Sequence, residues 1–372
     1  MKSPILITSD ALASVHPDWN IVTAPLADGG DGFCETLVHL ANGTFQNVDV
    51  SGPLGHPTRA TYGLVDVSNI CGAAQERLSL PSGAKTLAIV ELAQSSGIAL
   101  VPLAQRSPWT TSTFGLGQVI RHAAENGANA ILVGLGGSSS NDLGLGVLQA
   151  VGFTFKDAMD KPIESRPTPE NWRHIASIAE PSTAMPIPVL IACDVETPLL
   201  GPNGAAAIFG KQKGLLPEDL AALEAQSHTM ADKLCEACGH NAGTSNTSGS
   251  GAAGGTAFGL MVGLGGRILP GAALVFAWAN LDEALAQADT VLTGEGRFDN
   301  SSLQGKGPGA LAVQASQAGK AVYVFAGSLG TFENGACSNL SLAAISPEGM
   351  PIEEALANTE TNLRNTIQAA FT

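Results

Sequence analysis

Basic residues are scarce in this chain of 372 residues: 18 Lys and Arg stand against 33 Asp and Glu, a formal net charge of −15. That balance repels polyanions, so neither nucleic acid nor an anionic membrane surface is expected as a partner. Aromatic residues amount to only 5%, which argues against an aromatic-lined binding module. Long apolar runs are missing as well. "ALVFAWANLDEALA" begins as one, but Asp282 and Glu283 end it, short of the ~18 apolar residues of a membrane span. No basic segment followed by an apolar stretch opens the chain, so no secretory leader is expected. The six cysteines, Cys34, Cys71, Cys193, Cys235, Cys238 and Cys337, lack the spacing of a disulfide framework. Free thiols in a reducing cytoplasm are therefore expected. The single C-x-x-C, Cys235 to Cys238, falls in a helical stretch without a second ligand pair. It is not read as a zinc site, and none of the histidines shows metal-type spacing.

What is present is core-forming material, with 44% hydrophobic residues and 44 glycines, enough for two domains. Strand-length apolar runs alternate with helical patterns. Strands are expected at Ile5 to Thr8, Ile21 to Pro25, Thr86 to Leu92, Ala130 to Leu135, Pro186 to Cys193, Thr290 to Thr293, Ala321 to Ala326 and Ala343 to Ile345. Continuous apolar runs suit a parallel sheet covered on both faces, so the class is α/β, built from βα units. Thr44 to Asp66 alternates like an antiparallel ribbon around Gly52 to Gly55, and Asn241 to Gly259 reads as a Gly/Ser/Thr loop entering a glycine-rich helix. A Rossmann-like domain with a mostly parallel sheet is expected from residues 1–45, 84–150 and 286–372. Residues 46–83 and 151–285 are then expected to form a second α/β domain.

Four of these strand-like segments run into polar or glycine-rich turns: "PLADGGDG" from Pro25, "GLGGSSSND" from Gly134, "ACDVETPLLGPNGAA" from Ala192 and "TGEGRFDNSS" from Thr293. A fifth such turn, "GSGAAGG", begins at Gly249. The carboxyl ends of parallel strands are where α/β proteins bind ligands, so the five are expected to converge on one crevice. Glycines let backbone N–H groups approach an oxyanion, serines add donors, and a following helix presents its positive end. Phosphate fits these groups. Asp28, Asp31, Asp142, Asp194, Glu295 and Asp299 would be costly beside phosphate unless a divalent cation or Lys and Arg offset them. A nucleoside triphosphate with Mg²⁺ meets both demands. Taken singly, each turn also has a plain reading: glycines for turn geometry, and "SSSND" as a helix-capping cluster. Neither "GK" pair, at Lys211 or Lys306, has the spacing of a Walker loop.

These turns, in this order, resemble those of the bacterial-type glycerate kinase family, whose members typically carry "P-x-A-D-G-G-E-G", "G-I-G-G-S-A-T-N-D-G-G", "A-C-D-V-x-N-P-L-x-G-x-x-G-A", "G-A-G-A-A-G-G" and "T-G-E-G-x-x-D-x-Q-(S/T)". The resemblance runs from about Ile21 to the C-terminus. It implies phosphoryl transfer from ATP to D-glycerate, a small-molecule substrate, on two α/β domains with the active site in the cleft between them. Within that reading Asp194 and Asp28 are the candidate acid/base carboxylates, and Lys306 and Arg297 offset charge. Gly29, Gly30, Gly136, Gly137, Ser138, Ser139, Ser140, Asn141, Gly254, Gly255, Gly294 and Gly296 are the candidate phosphate-binding groups. Asp142, Glu295 and Asp299 are the candidate Mg²⁺ carboxylates.

Some positions depart from the family pattern. Asp31 stands for a glutamate, Leu143 for the glycine after "N-D", and Glu196-Thr197 precedes "PL" in place of "x-N". "ITSDALASVHPDWNIV" lacks a lysine and most of a helix that family members carry. A kinase-like protein that binds nucleotide or a sugar acid but turns over poorly is therefore the alternative. A dinucleotide-dependent oxidoreductase is disfavoured, because no G-x-G-x-x-G follows a strand with an acidic residue about 20 positions later. Whether the 2- or the 3-hydroxyl would be phosphorylated stays open, as does the oligomeric state.

Overall fold

The computed structural model describes residues 4–27, 29–30, 32–183, 185, 187–300, 302–303, 307–331 and 339–372. The chain divides into two compact units, one of Ala27–Trp278 and one of Met1–Leu26 with Ala279–Thr372. This division differs from the expected one, since 27–45 and 84–150 fall in the same unit as 46–83 and 151–278.

The larger unit carries β1 (Thr44–Ser51), β2 (Pro57–Asp66), β3 (Thr86–Glu91), β4 (Ala130–Gly134), β5 (Thr154–Lys156), β6 (Ser177–Ala179), β7 (Val189–Ala192) and β8 (Arg267–Leu269). Its main sheet runs β1-β2-β3-β4-β7-β8, while β5 and β6 pair apart. The expected ribbon is the β1/β2 hairpin, antiparallel with Thr44 opposite Leu64, and β2 continues antiparallel onto β3. From β3 through β4 and β7 to β8 every pairing is parallel.

The unbroken apolar character of the central strands follows from burial on both faces. Successive side chains alternate between two cores. Ala88, Val90, Ile131, Val133 and Ile191 pack with Leu116, Val119, Ile120 and Val147 on one face. Leu87, Ile89, Ala130, Leu132 and Leu190 pack with Phe33, Leu37, Leu274 and Trp278 on the other. Neither face has room for a charge, so polar residues collect where the strands end. A third core, with Leu143, Leu148, Phe155, Trp172, Leu234 and Phe258, lies beside the first.

The smaller unit carries β9 (Thr290–Thr293), β10 (Arg297–Phe298), β11 (Ala321–Ala326), β12 (Ser328–Leu329) and β13 (Leu340–Ala344). Its parallel sheet runs β13-β11-β9, and β10 pairs with β12. Two expected strands are absent from it. Ile5 to Thr8 belongs to the helix Pro4–Val15, and Ile21 to Pro25 has no regular structure. The helix buries Ile7, Ala11 and Leu12 against Leu363 and Ile367 of the C-terminal helix Thr359–Phe371. That 7-11-12 spacing is helical, whereas the four-residue apolar run inside it reads equally well as a strand.

The helix after the "SSSND" turn begins at Leu145. Leu143 and Gly144 both turn left-handed first, with φ of 54° and 71°. A side chain in that region costs about 1–2 kcal/mol, yet Leu143 is fully buried in the third core. Two substitutions separate these contributions. Leu143→Ala and Leu143→Gly both leave a cavity costing about 2–5 kcal/mol, but only glycine releases the backbone. Urea midpoints should therefore rank Gly above Ala by about 0.5–1 kcal/mol, the reverse of the usual order. The usual order would mean that residue 143 is not left-handed in solution.

Candidate active site

The sheet register places Glu91, Gly134 and Ala192 side by side at the carboxyl edge of β3, β4 and β7. Beyond it come the turn Leu135–Asp142 and the segment Cys193–Asp194. Gly29 and Gly30 pack directly on this edge. A methyl group on Gly136 would stand 2.2 Å from Gly30 Cα, one on Gly134 would stand 2.7 Å from Gly29 O, and one on Gly29 would stand 2.8 Å from Ala192 O. The Gly136 N–H donates to Gly29 O at 2.9 Å. "GSGAAGG" reaches the same place from the other side, where a methyl on Gly254 would meet Ser140 O at 2.1 Å and the Leu143 N–H donates to Gly254 O. Four of the five glycine-rich turns thus meet, backbone against backbone, within the larger unit. Gly254 and Gly255 are there for close packing against residues 140–143.

The turn Gly136–Asn141 is anchored through its carbonyls. Ile98 N–H donates to Gly137 O at 2.7 Å, Thr111 Oγ1 donates to Ser139 O at 3.0 Å, and Lys213 Nζ donates to Ser140 O at 2.6 Å. In a trans peptide the N–H points opposite to the C=O. The N–H groups of Ser138, Ser140 and Asn141 are thereby turned away from the anchors, and among the described residues they have no protein acceptor. Ser139 is held differently, its N–H and Oγ both donating to Ser96 O. Ser140 Oγ and Asn141 Oδ1 are buried without a partner. Buried polar groups are nearly always paired, so such a cluster calls for an explanation. The chemistry offered is that of a polar ligand bearing an oxyanion.

The carboxylates divide by environment. Asp142 is fully buried and accepts from Thr113 N at 2.7 Å, Thr113 Oγ1 at 2.9 Å and Gly144 N at 3.2 Å. Burial pushes its carboxyl up, against the Thr113, Gly144 and Gly146 N–H groups that hold it down. With its oxygens accepting from protein donors, Asp142 is placed as a brace between the turn and the helix that follows. Asp194 Oδ2 accepts from Ala272 N at 2.8 Å, at the positive end of the helix Gly271–Trp278. Glu91, which is 3% exposed, accepts from Cys34 N at 3.1 Å at the start of the helix Phe33–Leu40.

Glu91 and Lys213 are the two residues that sequence reasoning passed over. A charge closing the apolar run "TLAIVE" was the signal for the first. For the second it was a second lysine in "FGKQKG", between glycines that allow tight packing. Lys213 is 1% exposed and also donates to Ser138 Oγ at 2.8 Å. Burial pushes its ammonium down to about 7, with Asp142 holding it up.

The fifth turn belongs to the smaller unit. Glu295 O and Gly296 O accept from Gly327 N and Ser328 N at 3.0 Å each, and a methyl on Gly294 would stand 2.1 Å from Phe325 O. Arg297 Nε pairs with Asp299 Oδ2 at 3.1 Å, with the arginine side chain 67% exposed. Such an exposed pair contributes little to stability. Glu295 Oε1 is buried without a partner. Asp28 and Lys306 lie outside the described residues. No group of three or more His, Cys, Asp or Glu suited to a metal occurs among the described residues.

A model of the glycerate kinase family matches residues 6–372. The chain belongs to the glycerate kinase family. It is 36% identical over 349 residues to the glycerate kinase of Halalkalibacterium halodurans, covering 92% of this chain and 86% of that protein. It is 34% identical over 316 residues to the glycerate 2-kinase of Escherichia coli, covering 85% and 78%. A crystal structure from Salmonella typhimurium LT2, for which glycerate kinase 2 is the proposed assignment, superposes with a TM-score of 0.73 at 32% identity, covering 98% of this chain and 92% of the other. Family membership gives the left-handed backbone at Leu143 a context: the glycine usual there would adopt it without strain, and this chain keeps the conformation with leucine.

The brace reading of Asp142 is testable. Asp142→Asn turns an amide N–H₂ toward donors, which costs about 1–3 kcal/mol in denaturant unfolding. The Mg²⁺ concentration giving half-maximal turnover should not move. A several-fold rise in that concentration, with stability unchanged, would instead assign Asp142 as a metal ligand.

Proposed function

We infer that this protein transfers the γ-phosphoryl group of ATP to a hydroxyl of D-glycerate, giving 2-phosphoglycerate or 3-phosphoglycerate. The observation that carries the reading, in a chain of this family, is the Ser138–Asn141 turn with its unclaimed N–H groups and buried, unpartnered Ser140 and Asn141 side chains. Phosphoryl transfer asks a protein mainly for positioning and for compensation of charge. In this reading the N–H groups of Ser138, Ser140 and Asn141, with the Ser140 hydroxyl, hold an oxyanion of phosphate or of the glycerate carboxylate. The Asn141 amide oxygen accepts from a substrate hydroxyl. Asp194, or Asp28, takes the proton of the attacking hydroxyl, and the hydrogen bond from Ala272 N at the helix end orients the Asp194 carboxylate.

Mg²⁺ would arrive with ATP and supply neutralisation of phosphate charge. It keeps several waters and usually takes only one or two protein carboxylates. The unpartnered Glu295 Oε1 fits that demand, whereas Asp299 is already bridged to Arg297. A cytoplasmic location suits an ATP-consuming enzyme and agrees with the absence of disulfides among the described cysteines. No helix among the described residues is long and apolar enough to cross a membrane.

The direct test measures ADP release with D-glycerate, with L-glycerate and without acceptor, and identifies the product by phosphorus NMR. Release that does not depend on D-glycerate would sink the proposal. A sharper test uses Asn141→Ala. Removing an unsatisfied buried amide should leave the melting temperature unchanged or raised, while kcat/KM falls at least about tenfold. Lower stability with unchanged kinetics would mark Asn141 as a turn residue only. For Asp194→Asn, the side-chain oxygen still accepts from Ala272 N, so stability should hold while kcat drops at least about 100-fold.

A further inference from the structure

Lys213 is a buried cation that the proposed reaction does not use, and burying an ammonium is expensive unless something is gained. Its neighbours show what is gained. The lysine closes the short helical turn Lys211–Lys213, which follows the helix Ala205–Phe209. Gly214, with φ of 90°, then lies so close to Arg106 O that a methyl group would stand 2.1 Å away. The segment is thus pressed against the chain leading to Thr111, another anchor of the turn. From there Nζ reaches Ser138 Oγ and Ser140 O, two groups of "SSSND" two residues apart.

Both contacts act on what faces the other way. Donation from a cation into Ser140 O polarises the peptide shared with Asn141, making the Asn141 N–H a stronger donor, and fixes the plane in which it points. The hydrogen bond to Ser138 Oγ ties the start of the turn to the same ammonium. In its protonated form Lys213 places a positive charge directly behind a row of N–H groups, in a region of low dielectric where it is little screened. Asp142 also faces this charge, but its oxygens are taken up by Thr113 and Gly144.

The geometry points to Lys213 as a positioning residue for substrate oxyanion binding, acting through the Ser138–Asn141 turn without touching the substrate. This rests on reading that turn as the oxyanion site. The oxyanion is a phosphate of ATP or the carboxylate of glycerate, and the two are told apart by which KM responds.

The test compares wild type with Lys213→Met, which keeps the length and removes both charge and donor, and Lys213→Gln, which keeps a donor without charge. Asn141→Ala is measured alongside. Lys213→Met should raise one of the two KM values, for ATP or for D-glycerate, at least about tenfold while kcat changes less than about threefold. Lys213→Gln should fall between Met and wild type. The same ligand's Kd, measured by calorimetry without turnover, should weaken in parallel. In the Asn141→Ala background, which keeps the Asn141 backbone N–H, Lys213→Met should raise the same KM by about the same factor, because the two changes act on different groups. A folded Lys213→Met protein with both KM values unchanged, beside an impaired Asn141→Ala, overturns the inference and leaves the turn as the site. Unchanged kinetics in both Asn141→Ala and Lys213→Met overturn the turn reading and the inference with it. If Lys213→Met does not fold, the same criteria apply to Lys213→Gln.

Discussion

Three carbonyls turned inward organise the candidate site. Gly137 O, Ser139 O and Ser140 O are each held by a different element: the backbone of Ile98, the hydroxyl of Thr111 and the ammonium of Lys213. Because the peptide is planar and trans, fixing the carbonyl fixes the N–H as well. The donors of Ser138, Ser140 and Asn141 are thereby aimed before any ligand arrives. Pre-aimed dipoles need not reorganise when charge develops, which is the general source of electrostatic catalysis. In the proposed reading, the surrounding cores serve function by holding those three anchors in place.

Close backbone approach is the second constraint. Gly134, Gly136, Gly29 and Gly254 all stand where a single methyl group would collide with another turn. Their glycines let four loops from distant parts of the sequence stack at one edge of a sheet. Phosphate binding needs no glycine at Gly254, because the clash with Ser140 O already requires one. Leu143 shows the same pressure in another form. It accepts a strained left-handed backbone so that its side chain can fill the third core while the next helix starts at the right angle.

Stability and function pull against each other in this region. Ser140 Oγ and Asn141 Oδ1 are buried without partners, and Lys213 and Asp142 are ionisable groups held away from water. Desolvation of an unpaired or charged group is unfavourable, and for Lys213 and Asp142 it is offset by the hydrogen bonds they make. The sheet compensates with strands that are apolar on both faces.

Much of this protein was legible in the chain itself. β3, β4, β9 and β11 fell where apolar runs predicted them; for β3 and β4 the reason is burial on both faces, which needs a continuous apolar run and leaves that trace. The family was legible too, because its glycine-rich turns are long and ordered. Ile5 to Thr8 was not, since so short a run has no period of its own and partnership with Leu363 and Ile367 decided for a helix. The role of Asp142 was equally hidden. A carboxylate after a glycine-rich turn looks the same in sequence whether or not Thr113 donates to it, and that contact depends on a residue 29 positions away. Glu91 and Lys213 reach the site only through sheet register and through a contact spanning 73 residues. Local pattern therefore determined the elements and the family, whereas long-range packing decided which charges are braces and which groups stay unclaimed, because burial and hydrogen-bond partners are properties of the folded chain alone.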